Sequence, residues 1–153
     1  MFHASVEGEA EFLRECQAFE TDLREGARAS VEAAVKAGAD IAKQGGWRDR
    51  TGYLRDRIYG TVEKTGAEGT EGEIWASQPY ASYVENGTKP HVIAAKNATY
   101  LKWQSGGETH FAKSVNHPGS RSIPFMGPAY IKAEAVLTAR MEEASGKAGE
   151  RFK

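Results

Sequence analysis

The chain has one cysteine, Cys16, in 153 residues. A single thiol cannot close an internal disulfide. That excludes a disulfide-stapled scaffold and makes a reducing cytoplasm the expected place of synthesis. Charge of one sign is also missing, since 20 Lys and Arg face 21 Asp and Glu for a formal charge of −1. A dedicated nucleic-acid binder usually needs a clear basic excess. No apolar run reaches 18 residues, so no membrane span is expected. The opening MFHASVEGEAEFL lacks the basic-then-apolar signature of a secretory signal. What is there, 40 % hydrophobic and 27 % charged residues, fits a single soluble domain over 1–153 that buries about two-thirds of its unfolded surface.

Patterns that carry chemistry are equally scarce. His91, His110 and His117 fall close together, but without the paired spacing of zinc ligands and without H-E-x-x-H. There is no G-x-S-x-G elbow. "GAEGTEG" is rich in glycine, yet its two glutamates would repel a phosphate and no P-loop lysine follows. Asn86-Gly87-Thr88 and Asn97-Ala98-Thr99 match the glycosylation pattern, which has no consequence without a secretory route. The expectation is no enzyme, no metal and no cofactor, with loop histidines in ordinary hydrogen bonds.

Helical periodicity dominates the first third. Phe12, Cys16, Phe19, Leu23, Ala27, Val31, Ala34, Gly38 and Ile41 recur at spacings of three or four, predicting one long helix over 9–44 that Gly45-Gly46 ends. Such a helix is longer than so small a domain can cover, so part of its apolar face awaits another subunit. Residues 51–88 read as a short helical turn with Tyr53, Leu54 and Ile58 inward, then a hairpin, then a second short helix. The stretch 89–124 is an extended insertion loop, within which "TYLKW" and "THFAKSV" could be strands joined by "QSGGE". A C-terminal helix follows over 127–148, with Pro128 in its first turn. The fold class is α+β, a small antiparallel sheet flanked by a long N-terminal helix, a short middle helix and a C-terminal helix.

Two stretches invite a functional reading. In "GGWRDRTGYLRDR", Arg48, Arg50, Arg55 and Arg57 crowd beside Trp47 and Tyr53, while Asp49 and Asp56 halve the local charge. Solvated ion pairs, a protein interface and a nucleic-acid contact all remain open there. In "PYASYVENGTKPH", Tyr80, Tyr83 and Val84 share one helical face and are expected to pack on the sheet, with Gly87 as a left-handed stop and Pro90 blocking resumption. Glu85 has no evident catalytic partner.

The order of these motifs resembles the head–tail joining proteins of long-tailed bacteriophages, the neck or tail-completion family. The resemblance rests on a T-G-x-L segment (Thr51, Gly52, Leu54) and a P-Y-A-x-Y-x-E-x-G-T block (Pro79, Tyr80, Ala81, Tyr83, Glu85, Gly87, Thr88). It extends to H-P-G (His117, Pro118, Gly119) and to P-F-x-x-P-A (Pro124, Phe125, Pro128, Ala129). It covers roughly 10–145 and implies a non-enzymatic virion component made in the bacterial host cytoplasm. The implied assembly is a homo-oligomeric ring, a hexamer, between connector or stopper proteins and the tail-tube protein. DNA would pass through its lumen without sequence-specific contact, and no membrane is involved.

Overall fold

The computed structural model describes residues 8–48, 51–66 and 68–150. Helix α1 spans Glu9–Lys43, 35 residues and thus about 52 Å at 1.5 Å per residue. A single 3₁₀ turn, Arg55–Arg57, leads into β1 (Ile58–Gly66), which pairs antiparallel with β2 (Gly69–Ala76). Then come α2 (Ala81–Asn86), β3 (His91–Ala94), β4 (Leu101–Ser105), β5 (Glu108–Ala112), β6 (Ser114–His117) and α3 (Met126–Gly149). The class is α+β, with a long first helix, a short middle one and a C-terminal one. The strands do not merge into one sheet. They form three two-stranded antiparallel ladders, β1–β2, β3–β6 and β4–β5.

Two compact units result, one from the residues up to Gln78 with those from Phe125 onward, the other from Pro79 to Pro124. In the first, α3 runs antiparallel along α1 on a seam of small residues. A β-carbon on Gly26 would lie 2.6 Å from the Ala144 β-carbon, and one on Gly38 would lie 2.9 Å from the Ala129 carbonyl oxygen. Only glycine permits so close an approach. Ser30 is buried in the same seam and donates to the Gly26 carbonyl at 2.6 Å. The β1–β2 hairpin lies against α1 beside Val31 and Val35, where Gly60 and Gly72 leave room for it. Leu54, Ile58, Ile74, Phe125 and Ala129 complete the core.

The exposed end of α1 has a simple geometric cause. Gly26 meets Ala144 and α3 ends at Gly149, so an antiparallel partner runs out a few residues N-terminal of Gly26. Phe12, expected on the buried face, is 58 % exposed, with Leu13 at 52 % beside it. Cys16 is half-buried. Tyr53, expected inward, is exposed, because only Leu54 of that turn faces the core before the chain straightens at Ile58.

The second unit is a β-ribbon closed at its base by α2. Its ladders follow one another, Thr88 bridging Ser120, then His91–Ala94 on Ser114–His117, then Leu101–Ser105 on Glu108–Ala112. The Ala95 N–H donates to the Lys113 carbonyl at 3.0 Å, continuing the pairing past Ala94. Gly106 and Gly107 (φ +61° and +86°) form the two-residue turn at the tip, where both positions need left-handed backbone. The segment 89–124 therefore carries four strands.

Candidate functional site

The residues singled out in the sequence gather at two places. At the end of α1, Trp47 is buried against Phe125, their ring centroids 4.8 Å apart. The Arg55 guanidinium lies 5.2 Å over the indole and donates to the Lys43 carbonyl. A cation on the last carbonyls of a helix satisfies unpaired acceptors and complements the negative end of the helix dipole. Arg55 is thereby engaged as a C-terminal cap for α1. Arg48 and Arg57 are exposed, and Arg50 lies outside the described residues. Thr51 is exposed, while Gly52 takes φ +76° and its carbonyl accepts from the Asp56 N–H at 2.9 Å. Leu54 is 1 % exposed, and with Phe125 it anchors this corner of the core.

The other gathering is the base of the ribbon, where the P-Y-A block meets H-P-G. Thr88 and Ser120 exchange backbone hydrogen bonds of 3.0 and 3.1 Å, and the Thr88 hydroxyl accepts from the Ser120 N–H at 2.9 Å. Gly87 (φ +70°) and Gly119 (φ +90°) sit back to back across this bridge. A β-carbon on Gly87 would fall 2.5 Å from the Ser120 carbonyl oxygen, and one on Gly119 would fall 2.2 Å from that of Thr88. The Ile123 N–H donates to the Val84 carbonyl at 2.9 Å, and the Ser122 hydroxyl donates to the Glu85 carbonyl. The His117 Nδ1 accepts from the Gly119 N–H at 3.1 Å, which fixes the H-P-G turn. Pro118 and Pro124 are exposed beside these bonds. Each strand of the ribbon is thus fastened at its root by its own short motif.

Tyr80 and Tyr83 do not pack inward as expected. They are 40 % and 62 % exposed, Tyr80 at the N-cap of α2 and Tyr83 within it. Beyond the base the ribbon exposes large apolar side chains, with Val92 at 65 % and Phe111 at 63 %. Tyr100 and Trp103 are also exposed, Trp103 stacking on His110 at 5.4 Å between centroids. The His91 and His117 rings lie 5.1 Å apart across the β3–β6 ladder. Periodicity could not have shown this surface, since spacing marks which positions share a face and not whether another element covers it.

The Glu143 carboxyl is held below its usual range by its hydrogen bond to Lys147, by that residue's charge and by Arg140, an exposed arrangement on α3. Among the described residues no group of three or more His, Cys, Asp or Glu is gathered to hold a metal ion. Among the described residues no helix is long and apolar enough to cross a membrane.

No curated protein and no solved structure matches the chain. A family model described as "Bacteriophage HK97-gp10, putative tail-component" matches residues 10–87, from the first turn of α1 through Gly87. That span holds the Thr51-Gly52-Leu54 segment and nearly all of the P-Y-A block. H-P-G, Pro124, Phe125 and the rest of the ribbon lie beyond it. With half of its length matched, the chain belongs to the HK97-gp10-like family of bacteriophage tail components.

Proposed function

We propose that this protein is a structural virion component of the phage neck, a ring that joins the head-side connector to the tail tube and completes the tail. The observation that carries the reading is membership of a phage tail-component family. The surface supports it. A ring closes by head-to-tail contacts, so each subunit must present two different patches. Unlike apolar surfaces are exposed here, among them the uncovered first turns of α1 with Phe12 and Leu13, and the ribbon with Val92 and Phe111. Six copies per ring, connector or stopper proteins on one face and the tail-tube protein on the other complete the proposal. DNA would run through the lumen without sequence-specific contact.

The test is the mass of the purified chain, alone and with its neighbours, together with its copy number in virions. Six copies per particle, seen as a ring at the neck by electron microscopy, is the expected result. A chain that is absent from particles, or present there without a ring, overturns the proposal. Deleting the gene is expected to leave filled heads and unjoined tails in lysates.

A further inference from the structure

Charge in this chain is balanced overall but segregated along it. Between Lys89 and Pro124 lie five basic residues, Lys89, Lys96, Lys102, Lys113 and Arg121, against the single acid Glu108, a net charge of +4. The remainder holds 15 basic and 20 acidic residues, a net charge of −5. The five basic side chains of the ribbon are all exposed. The acidic excess is concentrated on the β1–β2 hairpin, where Glu63, Glu68, Glu71 and Glu73 outnumber Lys64 and are exposed as well.

Next to that hairpin is an apolar groove of about 450 Å³ between α1, β2 and α3, floored by Val31, Val35, Ile74, Ala133 and Leu137. Glu73 and Glu134 line the same groove. On the ribbon, Lys102 and Phe111 are cross-strand partners on one face, the ammonium 5.8 Å from the ring centroid. An aromatic ring with a cation beside it is the chemical complement of an apolar groove bordered by carboxylates.

We propose that the ribbon of one copy docks on the acidic β1–β2 face of a second copy, Phe111 entering the groove and Lys102 and Lys113 meeting Glu73 and Glu134. Phe111 lies nine residues before Ser120, where the ribbon is fastened, so it stands at most about 30 Å from the ribbon base. In a ring this contact runs head-to-tail from ribbon to groove, and it rests on the ring reading above. It also assigns the basic ribbon to protein rather than to DNA. Val92 and Phe111 would gain nothing from a phosphate backbone, whereas the groove offers them apolar surface.

The experiment is a charge swap in the full-length protein. One variant reverses the ribbon, Lys102→Glu with Lys113→Glu, and the other reverses the groove, Glu73→Lys with Glu134→Lys. All four side chains are exposed, so thermal melting is expected to match wild type. Should either variant melt early, Phe111→Ser, measured alone, takes the place of the swap and of its mixture and is expected to weaken association at least tenfold. Light scattering at low salt is expected to show each variant associating at least tenfold more weakly than wild type. An equimolar mixture is expected to reassemble, since every ribbon then finds a groove of opposite charge and an even-numbered ring closes by alternation. Unchanged assembly of the single variants, or a mixture that fails to recover, overturns the proposal. So does a ribbon variant that assembles normally but loses binding to a 30-base-pair duplex, and so does a wild-type chain that is monomeric at every concentration. Copy number in virions is measured separately, so a ring held together by other surfaces would leave the neck assignment standing while removing this one.

Discussion

Gly60 sits on β1 where a β-carbon would lie 2.2 Å from the Val35 carbonyl oxygen, and backbone on α1 cannot turn aside as a side chain could. Its φ is not in the left-handed region, so the demand for glycine is purely one of space. Gly60→Ala is therefore expected to push the hairpin off α1 and to cost about 1–3 kcal/mol, the usual range for overpacking. Gly146 in α3 gives the opposite case. A β-carbon there meets nothing within 4 Å, and the residue is exposed within a helix. Gly146→Ala is expected to stabilise by about 0.5–1 kcal/mol through the lower helix propensity of glycine. Urea denaturation of the two variants beside wild type checks both signs, and equal midpoints for the pair would refute the close approach of β1 to α1.

At the scale of elements, the ribbon is held by its base. Gly119 combines φ +90° with a β-carbon position 2.2 Å from the Thr88 carbonyl oxygen, so any side chain there meets both backbone strain and a clash. Gly119→Ala is expected to break the Thr88–Ser120 bridge and to raise amide exchange from Thr88 to Ser120 by at least tenfold, while exchange in α1 and α3 stays as in wild type. Hydrogen-exchange mass spectrometry reads both regions in one experiment, and an unaltered ribbon would refute the clasp. Much of this element was legible in the sequence. Asn86-Gly87-Thr88 marks a helix stop, and "TYLKW" and "THFAKSV" could be strands about "QSGGE" within what reads as an extended insertion loop. The pairing of His91–Ala94 with Ser114–His117 was not legible, because register between strands some twenty residues apart leaves no local trace. Likewise, nothing in the letters says that Gly87 and Gly119 meet. Tyr80 and Tyr83 misled for a related reason. Their spacing is helical, but spacing shows which residues share a face and not whether that face is covered. Arg55 was legible as part of a basic cluster and illegible as a cap, since its acceptor is the carbonyl of Lys43, twelve residues earlier.

For the whole molecule, the first turns of α1 pose the clearest question. They lie within the span that identifies the family, beyond the last turn of α3, and they expose Phe12 and Leu13. A helix segment without a packed face is held by little besides its own hydrogen bonds, and isolated segments of that length are marginal in water. If this face served only the subunit, polar residues there would cost nothing in assembly. If it is a further contact of the ring, beside that of ribbon and groove, its apolar side chains must be matched on a neighbour. Phe12→Ser with Leu13→Ser is expected to change the stability of the isolated subunit by no more than about 0.5 kcal/mol, as for other exposed positions. The same variant is expected to lower the yield of joined particles at least tenfold in a complementation assay, because the loss repeats at every interface of a closed ring. It differs from the charge swap in its response to salt. Contacts between charged side chains weaken as ionic strength rises, whereas apolar contacts do not. Assembly measured against salt for wild type and for the Phe12, Leu13 variant thus separates the two patches. The proposed ribbon contact should make wild-type assembly fall with added salt. The α1 defect should persist at every salt concentration, and a defect that salt abolishes would show that these turns act through charge instead.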